Sequence, residues 1–439
     1  MKKAKAFVNW GKSVVKVVVV GGGWSGCAAA WAAAKAGADV VLLERTDLLL
    51  GTGLVGGIFR NNGRYTAAEE IIALGGGAII HGMDSVARHK NISFPGHEHA
   101  SLYDVTLIES VIKSILLQQG VTIRTQTRVT DVIRYGRKIY QVMADGGEVI
   151  TGEVFIDATG TAGPMGNCLT YGNGCAMCVL RCPSYGPRVS LTARAQVKER
   201  MGQKADGSFG AMSGSCKLQK DSLAPDVRAE LEKSGVVLLP MPERLREKIA
   251  LGKKACTQYA IPEYQATLVL LDTGHAKMMT SYFDLADLRT IPGLELARFA
   301  DPYAGGRGNS VRYLGIAPCD NTLKVTGMDN LFCSGEKSGI MVGHSEAILT
   351  GLLSGHNAVR HCLDMEYLEL PRTLAAGDYI AYVHEKMDQL QSLTVRYTFS
   401  GAEYFMRMKE LSLYTTDREA IETRVAQAGM TGIFSKCLI

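Results

Sequence analysis

The chain has 439 residues, 46% of them hydrophobic and 21% charged, with a formal net charge of +5. This balance belongs to a globular protein large enough for several folding units, and it excludes a disordered chain, a collagen-like repeat and a disulfide-stapled miniature scaffold. The charge is also too small for the field of a dedicated nucleic-acid binder, although it admits an anionic partner.

Forty-nine glycines against twelve prolines point to loops that wrap something bulky. Eleven cysteines, spaced unlike a small secreted framework, indicate reduced thiols and a cytoplasmic location. Met1 to Ala30 imitates a secretory signal, with lysines ahead of an apolar stretch. A glycine cluster interrupts that stretch and a helix follows, so the signal reading is rejected. Other apolar stretches break before the ~18 to 20 residues that a bilayer requires, and no membrane partner is expected.

In chain order, Val17 to Val20 reads as a strand buried on both faces of a parallel sheet. Gly21-Gly22-Gly23-Trp24-Ser25-Gly26 follows, then an alanine-rich helix from Cys27 to Ala36, a stop at Gly37, and a second strand from Asp39 to Leu43 that leads into Glu44. Helical spacing is read from Leu102 to Gln119, then strands at Val121 to Ile123 and Arg128 to Ile133. Lys138 to Met143 and Glu148 to Ile156 are read as a hairpin turning at Asp145-Gly146-Gly147. Regular periodicity is lost after Thr161, and helical patterning is read from Asp226 to Lys254, followed by a strand at Thr267 to Leu271. A strand at Leu331 to Ser334 leads into a helix from Gly343 to Cys362, and the remainder is read as mainly helical.

Gly21, Gly23 and Gly26 fit the dinucleotide fingerprint in its required setting, after a buried strand and at the opening of a helix. The first glycine makes the tight turn, the second lets backbone approach a pyrophosphate, and the third lets helix and strand pack closely. Glu44 can accept a hydrogen bond from a ribose hydroxyl.

Two later segments favour FAD over NAD. Val154-Phe155-Ile156-Asp157-Ala158-Thr159-Gly160 resembles the "ATG" strand of two-domain flavoproteins, and Asn330 to Glu336 resembles their late strand, whose Gly335-Glu336 pair is implied to hold the ribityl chain. The order of these segments resembles the glutathione-reductase type. The implied fold class is α/β, an FAD/NAD(P)-binding Rossmann-like fold with an inserted substrate domain and C-terminal helices. The expected division is an FAD-binding part at 1–165, a cysteine-bearing insertion at 166–304, a second FAD-binding part at 305–365 and a helical region at 366–439. No second fingerprint lies between Thr161 and Ala300, so electrons are expected from a substrate or an electron-transfer protein.

The N-terminal segments, including Leu43-Glu44-Arg45 and Tyr103 to Ile133, are similar to a broad FAD-dependent oxidoreductase family. The later part resembles the GidA-type flavoproteins that modify tRNA, which include folate- and FAD-dependent uracil-5-methyltransferases and uridine carboxymethylaminomethyl-modifying enzymes. That likeness rests on Ile291-Pro292-Gly293-Leu294-Glu295, Asn309-Ser310, Thr322 to Val325, Asn330 to Gly335, the series Gly343, Ala347, Gly351, Gly355 and Asn357, and Leu370-Pro371-Arg372. The resemblances imply cofactor contacts at Trp24, Ser25, Arg45, Val129, Gly343 and His344, besides the residues already named. The sequence departs from the methyltransferases in having no cysteine in Gly51 to Asn62 and in carrying Glu336 where they have glutamine.

Cys168, Cys175, Cys178 and Cys182, followed by Pro183, form the densest chemical signal. The spacing is open to a [4Fe-4S] cluster, to structural zinc, to a redox or nucleophilic thiol, and to plain burial. The GidA likeness implies a catalytic thiol at Cys182, and the start of the late helix makes His344 the second catalytic candidate. His97 and His99 are a local pair able to bind metal or relay protons. Arg307 and Arg312 could hold an anion, and the basic run Arg188, Arg194, Lys198, Arg200 and Lys204 is read as one face of a solvated helix.

The function favoured by the sequence is an FAD-dependent oxidoreductase that carries out hydride transfer at the flavin on a small molecule, with homo-oligomerisation open. A flavin- and folate-dependent tRNA uridine-modifying transferase stands second, and an iron-sulfur electron-transfer subunit third.

Overall fold

The structure is a computed structural model that describes residues 15–160, 184–203, 207–209, 211–212, 216–247, 257–280, 284–300, 311–312, 315–389 and 393–439. Its centre is a five-stranded sheet in the order Leu331–Cys333, Val154–Asp157, Lys16–Val20, Asp39–Leu43 and Thr122–Arg124. Every pairing in it is parallel, which requires cover on both faces. Alternation along the strands provides for this. Val17, Val19, Leu42 and Ile156 join the core beneath the helices, while Val18, Val20, Val41, Leu43 and Phe155 point the other way. There they meet the antiparallel sheet of Val129–Tyr135, Lys138–Ala144 and Val149–Thr151.

The helices Trp24–Lys35 and His344–Cys362 cover the first face. They approach closely because glycines of one meet backbone of the other. A Cβ on Gly351 would lie 2.2 Å from the Ser25 carbonyl oxygen, and one on Gly355 would lie 2.2 Å from that of Ala29. The alanines at 28, 29, 30, 32 and 33 are all fully buried, so this helix is chosen for thinness rather than for amphipathic contrast.

Between the fourth and last strands of the main sheet in chain order stands a second antiparallel sheet, ordered Lys217–Leu218, Ala276–Met278, Thr267–Asp272 and Val236–Pro240. The helix Pro225–Ser234 packs on it through Val227 and Leu231. A three-stranded sheet, Ile58–Phe59, His97–Tyr103 and Ala87–Phe94, adjoins it. Asp272 ties these two sheets together: its buried carboxylate accepts from Arg88 Nε at 2.9 Å, His89 Nε2 at 3.0 Å and Lys220 Nζ at 3.0 Å. Among the described residues, no helix is long and apolar enough to cross a membrane.

Several local expectations change. The first helix begins at Trp24, three residues before the predicted start. The segment before Ile108 is a strand, His97–Tyr103, which ends where Asp104 accepts from the Thr106 backbone N–H at 2.9 Å. Helical patterning from Asp226 stops at Gly235, whose φ of +79° caps the helix, and Val236 to Pro240 is a strand paired with Thr267–Asp272. The predicted strand from Glu148 to Ile156 divides at Gly152 into two strands of different sheets. Among the described residues of the basic run there is no helix face, because only Leu191–Arg194 forms a helical turn and Arg200–Met201 is a strand.

Two outcomes follow. Gly355→Ala drives a methyl group into the Ala29 carbonyl and is expected to cost about 1–3 kcal/mol, read from urea unfolding. Burial alone would raise the Asp272 pKa, but His89, Lys220 and Arg88 outweigh burial and hold it well below the usual carboxylate range. The stabilisation is therefore present above the unfolded value of about 3.9 and is lost as pH falls through the depressed folded value. Asp272→Asn should be less stable than wild type at neutral pH and converge on it at acid pH in thermal melts.

Candidate nucleotide-binding and active site

Gly21 has a φ of +101°, and a Cβ there would lie 2.4 Å from the Ala158 carbonyl oxygen. A Cβ on Gly26 would lie only 1.8 Å from the Gly21 carbonyl oxygen, whereas one on Gly23 would meet nothing within 4 Å. Gly21 thus lets the turn lie against the backbone after the neighbouring strand, Gly26 closes the helix on that turn, and the middle glycine faces open space. That space is a long cleft lined at one end by Gly21, Gly23, Trp24, Ser25, Glu44 and Arg45, with Val129, Ala158, Thr159 and Gly160 beside them. Gly335, Glu336, Gly343 and His344 line it from the late segment. Gly26 is absent from the wall because it lies underneath.

The two segments meet directly. Gly335, with a φ of +65°, sits so close to Ser25 that a Cβ would lie 2.7 Å from its Oγ. Both long helices begin at this cleft and both have glycine as N-cap, so neither has a side-chain cap, and the first turn of Trp24–Lys35 carries no acid. Such a terminus presents backbone N–H groups and the positive end of the helix dipole to an anion. The donor set and the open Gly23 therefore fit a dinucleotide diphosphate. Glu44 is buried and accepts from the Gly22 and Thr46 backbone N–H groups at 2.8 Å each, which holds the carboxylate at the end of the second strand.

At the far end, His344 Nδ1 lies 3.0 Å from the Ile58 carbonyl oxygen. A carbonyl only accepts, so Nδ1 carries the proton. The imidazole lies 5.8 Å from the Trp24 ring and 5.7 Å from the Tyr103 ring. Tyr103 donates to the Gly53 carbonyl at 2.6 Å, and burial raises its pKa.

Sequence reasoning missed four charged groups around this site. Arg64 pairs in the interior with Glu346 at 3.1 Å and donates to Thr398 Oγ1 at 2.9 Å. Glu346 also accepts from the Phe399 backbone N–H at 2.9 Å. The network fixes the entrance to the late helix, where Gly343 has a φ of +142° and a Cβ would collide with Glu346 Oε2 at 1.9 Å. Lys217 and Lys277 stand opposite each other across two antiparallel strands, a like-charge pairing that is normally unfavourable. Here Lys217 donates to the Leu54 carbonyl at 3.0 Å, and Lys277 donates to those of Val55, at 2.9 Å, and Gly56. These are the terminal carbonyls of the short turn Gly53–Gly56, the place where cations are favoured.

Of the remaining candidates among the described residues, Arg188 lines the cleft and the others do not. Cys168, Cys175, Cys178 and Cys182 lie outside the described residues, as do Arg307 and Lys204. Among the described residues, no group of three or more His, Cys, Asp or Glu side chains is placed to hold a metal ion. His97 is buried, with Asn61 Nδ2 at 2.9 Å from its Nδ1 and the Gln258 carbonyl at 3.2 Å from its Nε2. Burial, and then Arg64, lower its pKa to about 3, so it is a neutral interior brace. His99 Nδ1 instead lies 2.9 Å from Asn91 Oδ1.

Removing one partner of the interior Arg64–Glu346 pair strands the other charge. Glu346→Ala is expected to cost about 3–5 kcal/mol, measured by chemical denaturation, and to open the far end of the cleft.

The chain matches the family model described as glucose inhibited division protein A over residues 16–281 and 273–366. It is 25% identical over 451 aligned residues to the tRNA uridine 5-carboxymethylaminomethyl modification enzyme MnmG of Desulfotalea psychrophila, covering 90% of this chain and 67% of that protein. It is 33% identical over 116 residues to the enzyme of the same name from Chlorobaculum tepidum, covering 26% of this chain but only 18% of the relative. Aquifex aeolicus GidA in its form II crystal superposes with a TM-score of 0.68 at 17% identity, covering 97% of this chain and 74% of that one. The form I crystal gives 0.63 at 16% identity, with coverage of 94% and 79%. The match of the family model over most of the sequence, through all the walls of the cleft, establishes that the chain belongs to the glucose inhibited division protein A family.

Proposed function

We propose that the cleft holds FAD and that the chain is a flavin-dependent enzyme that modifies a uridine of tRNA. The observation that carries the reading is the family match across residues 16–281 and 273–366, which spans the cleft walls from Gly21 to Ala347. The activity for which the two relatives are named supplies the substrate class. This order reverses the preference drawn from the sequence, which placed a small-molecule oxidoreductase first and tRNA second.

In this reading the N–H groups at the start of Trp24–Lys35 take the diphosphate, and Gly23 lets it approach. The lone pairs that Glu44 does not use on Gly22 and Thr46 accept a ribose hydroxyl. Gly335 and Glu336 hold the linking chain, while Gly343 and His344 meet the flavin end. FAD supplies hydride exchange at its N5. The protein holds the geometry around it: Lys217 and Lys277 fix the Gly53–Gly56 turn, and the Ile58 carbonyl fixes the proton of His344 on Nδ1. Trp24 and Tyr103 exclude water beside that imidazole, which is the residue assigned to proton handling. No metal is assigned to the Cys168–Cys182 segment.

The test combines the visible spectrum after addition of FAD, tRNA retention as salt is varied, and nucleoside analysis of tRNA from cells with and without the gene. Flavin bands, salt-sensitive tRNA binding and a changed level of one modified uridine are expected. A protein that refuses FAD overturns the flavin assignment. A flavoprotein that ignores tRNA, and whose loss leaves every uridine nucleoside unchanged, returns the assignment to a small-molecule oxidoreductase. Gly23→Asp separates folding from binding. Its carboxylate would cap the helix and alter stability by only a few tenths of about 1 kcal/mol, yet it would occupy the diphosphate position with a like charge and abolish flavin retention on gel filtration.

A further inference from the structure

Cys319, Asn321 and His384 form a polar constellation that contributes nothing to the cleft wall. His384 Nε2 lies 2.9 Å from the Ser338 carbonyl oxygen, and its Nδ1 lies 2.9 Å from Asn321 Oδ1. The orientation of the Asn321 amide follows from its other end, where Nδ2 donates to Glu369 Oε1 at 2.9 Å. Both ring nitrogens therefore face oxygens that only accept, and the network is satisfied when both carry a proton. His384 is an imidazolium ion in this arrangement. The Cys319 sulfur lies 3.7 Å from Nε2, and in its thiol form it donates to the Ser338 carbonyl oxygen at 3.4 Å.

A sulfur beside a fixed cation, with an amide orienting the ring from behind, is the arrangement that favours thiolate over thiol. Other charges nearby do not cancel it. The Asp320 carboxylate is turned into its own loop, accepting from Thr322 N–H at 2.9 Å, from the Thr322 hydroxyl and from Lys324 N–H at 3.3 Å, and Glu369 is held on Asn321. The Cys333 thiol and the His384 cation outweigh burial and hold Cys319 well below the ordinary thiol range. Burial opposes the charge on His384, but Cys319 and the Ser338 carbonyl overcome it and raise its pKa. Cys319, Asn321 and His384 are each half-buried.

We propose that Cys319 is a reactive thiolate, paired with the His384 imidazolium, that undergoes thiol–disulfide exchange with low-molecular-weight disulfides. The Cys319 sulfur attacks one sulfur of RS–SR, and a protein–SR bond forms as the RS–SR bond breaks. The departing RS⁻ carries away the electron pair and takes a proton from His384 Nε2 or water. Cys319 is oxidised, the incoming disulfide is the oxidant, and no further reactant is needed. The inference is independent of the flavin and of the RNA substrate.

The test uses the full-length reduced chain with glutathione disulfide, mapped peptide by peptide by mass between roughly pH 5.5 and 9. Cys319 should gain the glutathione mass with a rate–pH inflection at least about one unit below that of an unstructured cysteine peptide, whose thiol titrates near ~8.5. Cys362 is an internal control, because it is also half-buried but is pushed up to about 11 by burial. It should stay unmodified at neutral pH. His384→Gln should move the Cys319 inflection up to that of the peptide, and Asn321→Ala should move it part of the way. If His384→Gln melts early, the wild-type profile and Asn321→Ala decide. A Cys319 that stays unmodified throughout, that titrates with the peptide, or that ignores the tested substitutions overturns the proposal.

Discussion

The structure depends on a contact that leaves no room for a side chain: the Gly21 carbonyl rests where a Cβ of Gly26 would be. This closeness brings the start of the Trp24–Lys35 helix to the end of the central strand of the parallel sheet, and the same device recurs where Gly351 and Gly355 lie on the Ser25 and Ala29 carbonyls. Three layers are thereby stacked by backbone rather than by side chains. At the Gly21–Gly23 end the cleft consequently presents main-chain groups, which suits the phosphates of a ligand.

The segments that were legible in the sequence are those whose chemistry is local. The glycine fingerprint, Glu44 at the end of a strand, and Ala158-Thr159-Gly160 each sit within a few residues of the turn they build, and all lie along one cleft. The late segment around Gly335 was legible through its family likeness, and it meets Ser25 in space. Arg64 and Glu346 were not legible, because 282 residues separate them and neither has a local pattern. Lys217 and Lys277 were hidden for a similar reason, since in sequence each is only a cation in a short strand. Their role comes from carbonyls more than 160 residues away.

The misread elements share a cause. Val236 to Pro240 continued a helical pattern when read from one side only, but Gly235 ends the helix and the Thr267–Asp272 strand supplies a partner. Likewise, Leu102 belonged to an apolar spacing that suited a helix, while pairing with Ile58 placed it in a strand. In both places a tertiary partner decided between two local readings. The inserted sheet is also more than a spacer, because Lys277 reaches the cleft wall from it, as does Met279 just past the end of its strand.

The lysine pair changes how access to the cleft is to be understood. The carbonyls of Leu54, Val55 and Gly56 are held by ammonium groups rooted in two adjacent strands of the inserted sheet. The Gly53–Gly56 turn is therefore moored to a platform rather than hinged at its own ends. Widening the entrance for a bulky guest becomes a matter of the angle between two sheets, so that a change at the rim of the platform is geared to the mouth of the cleft.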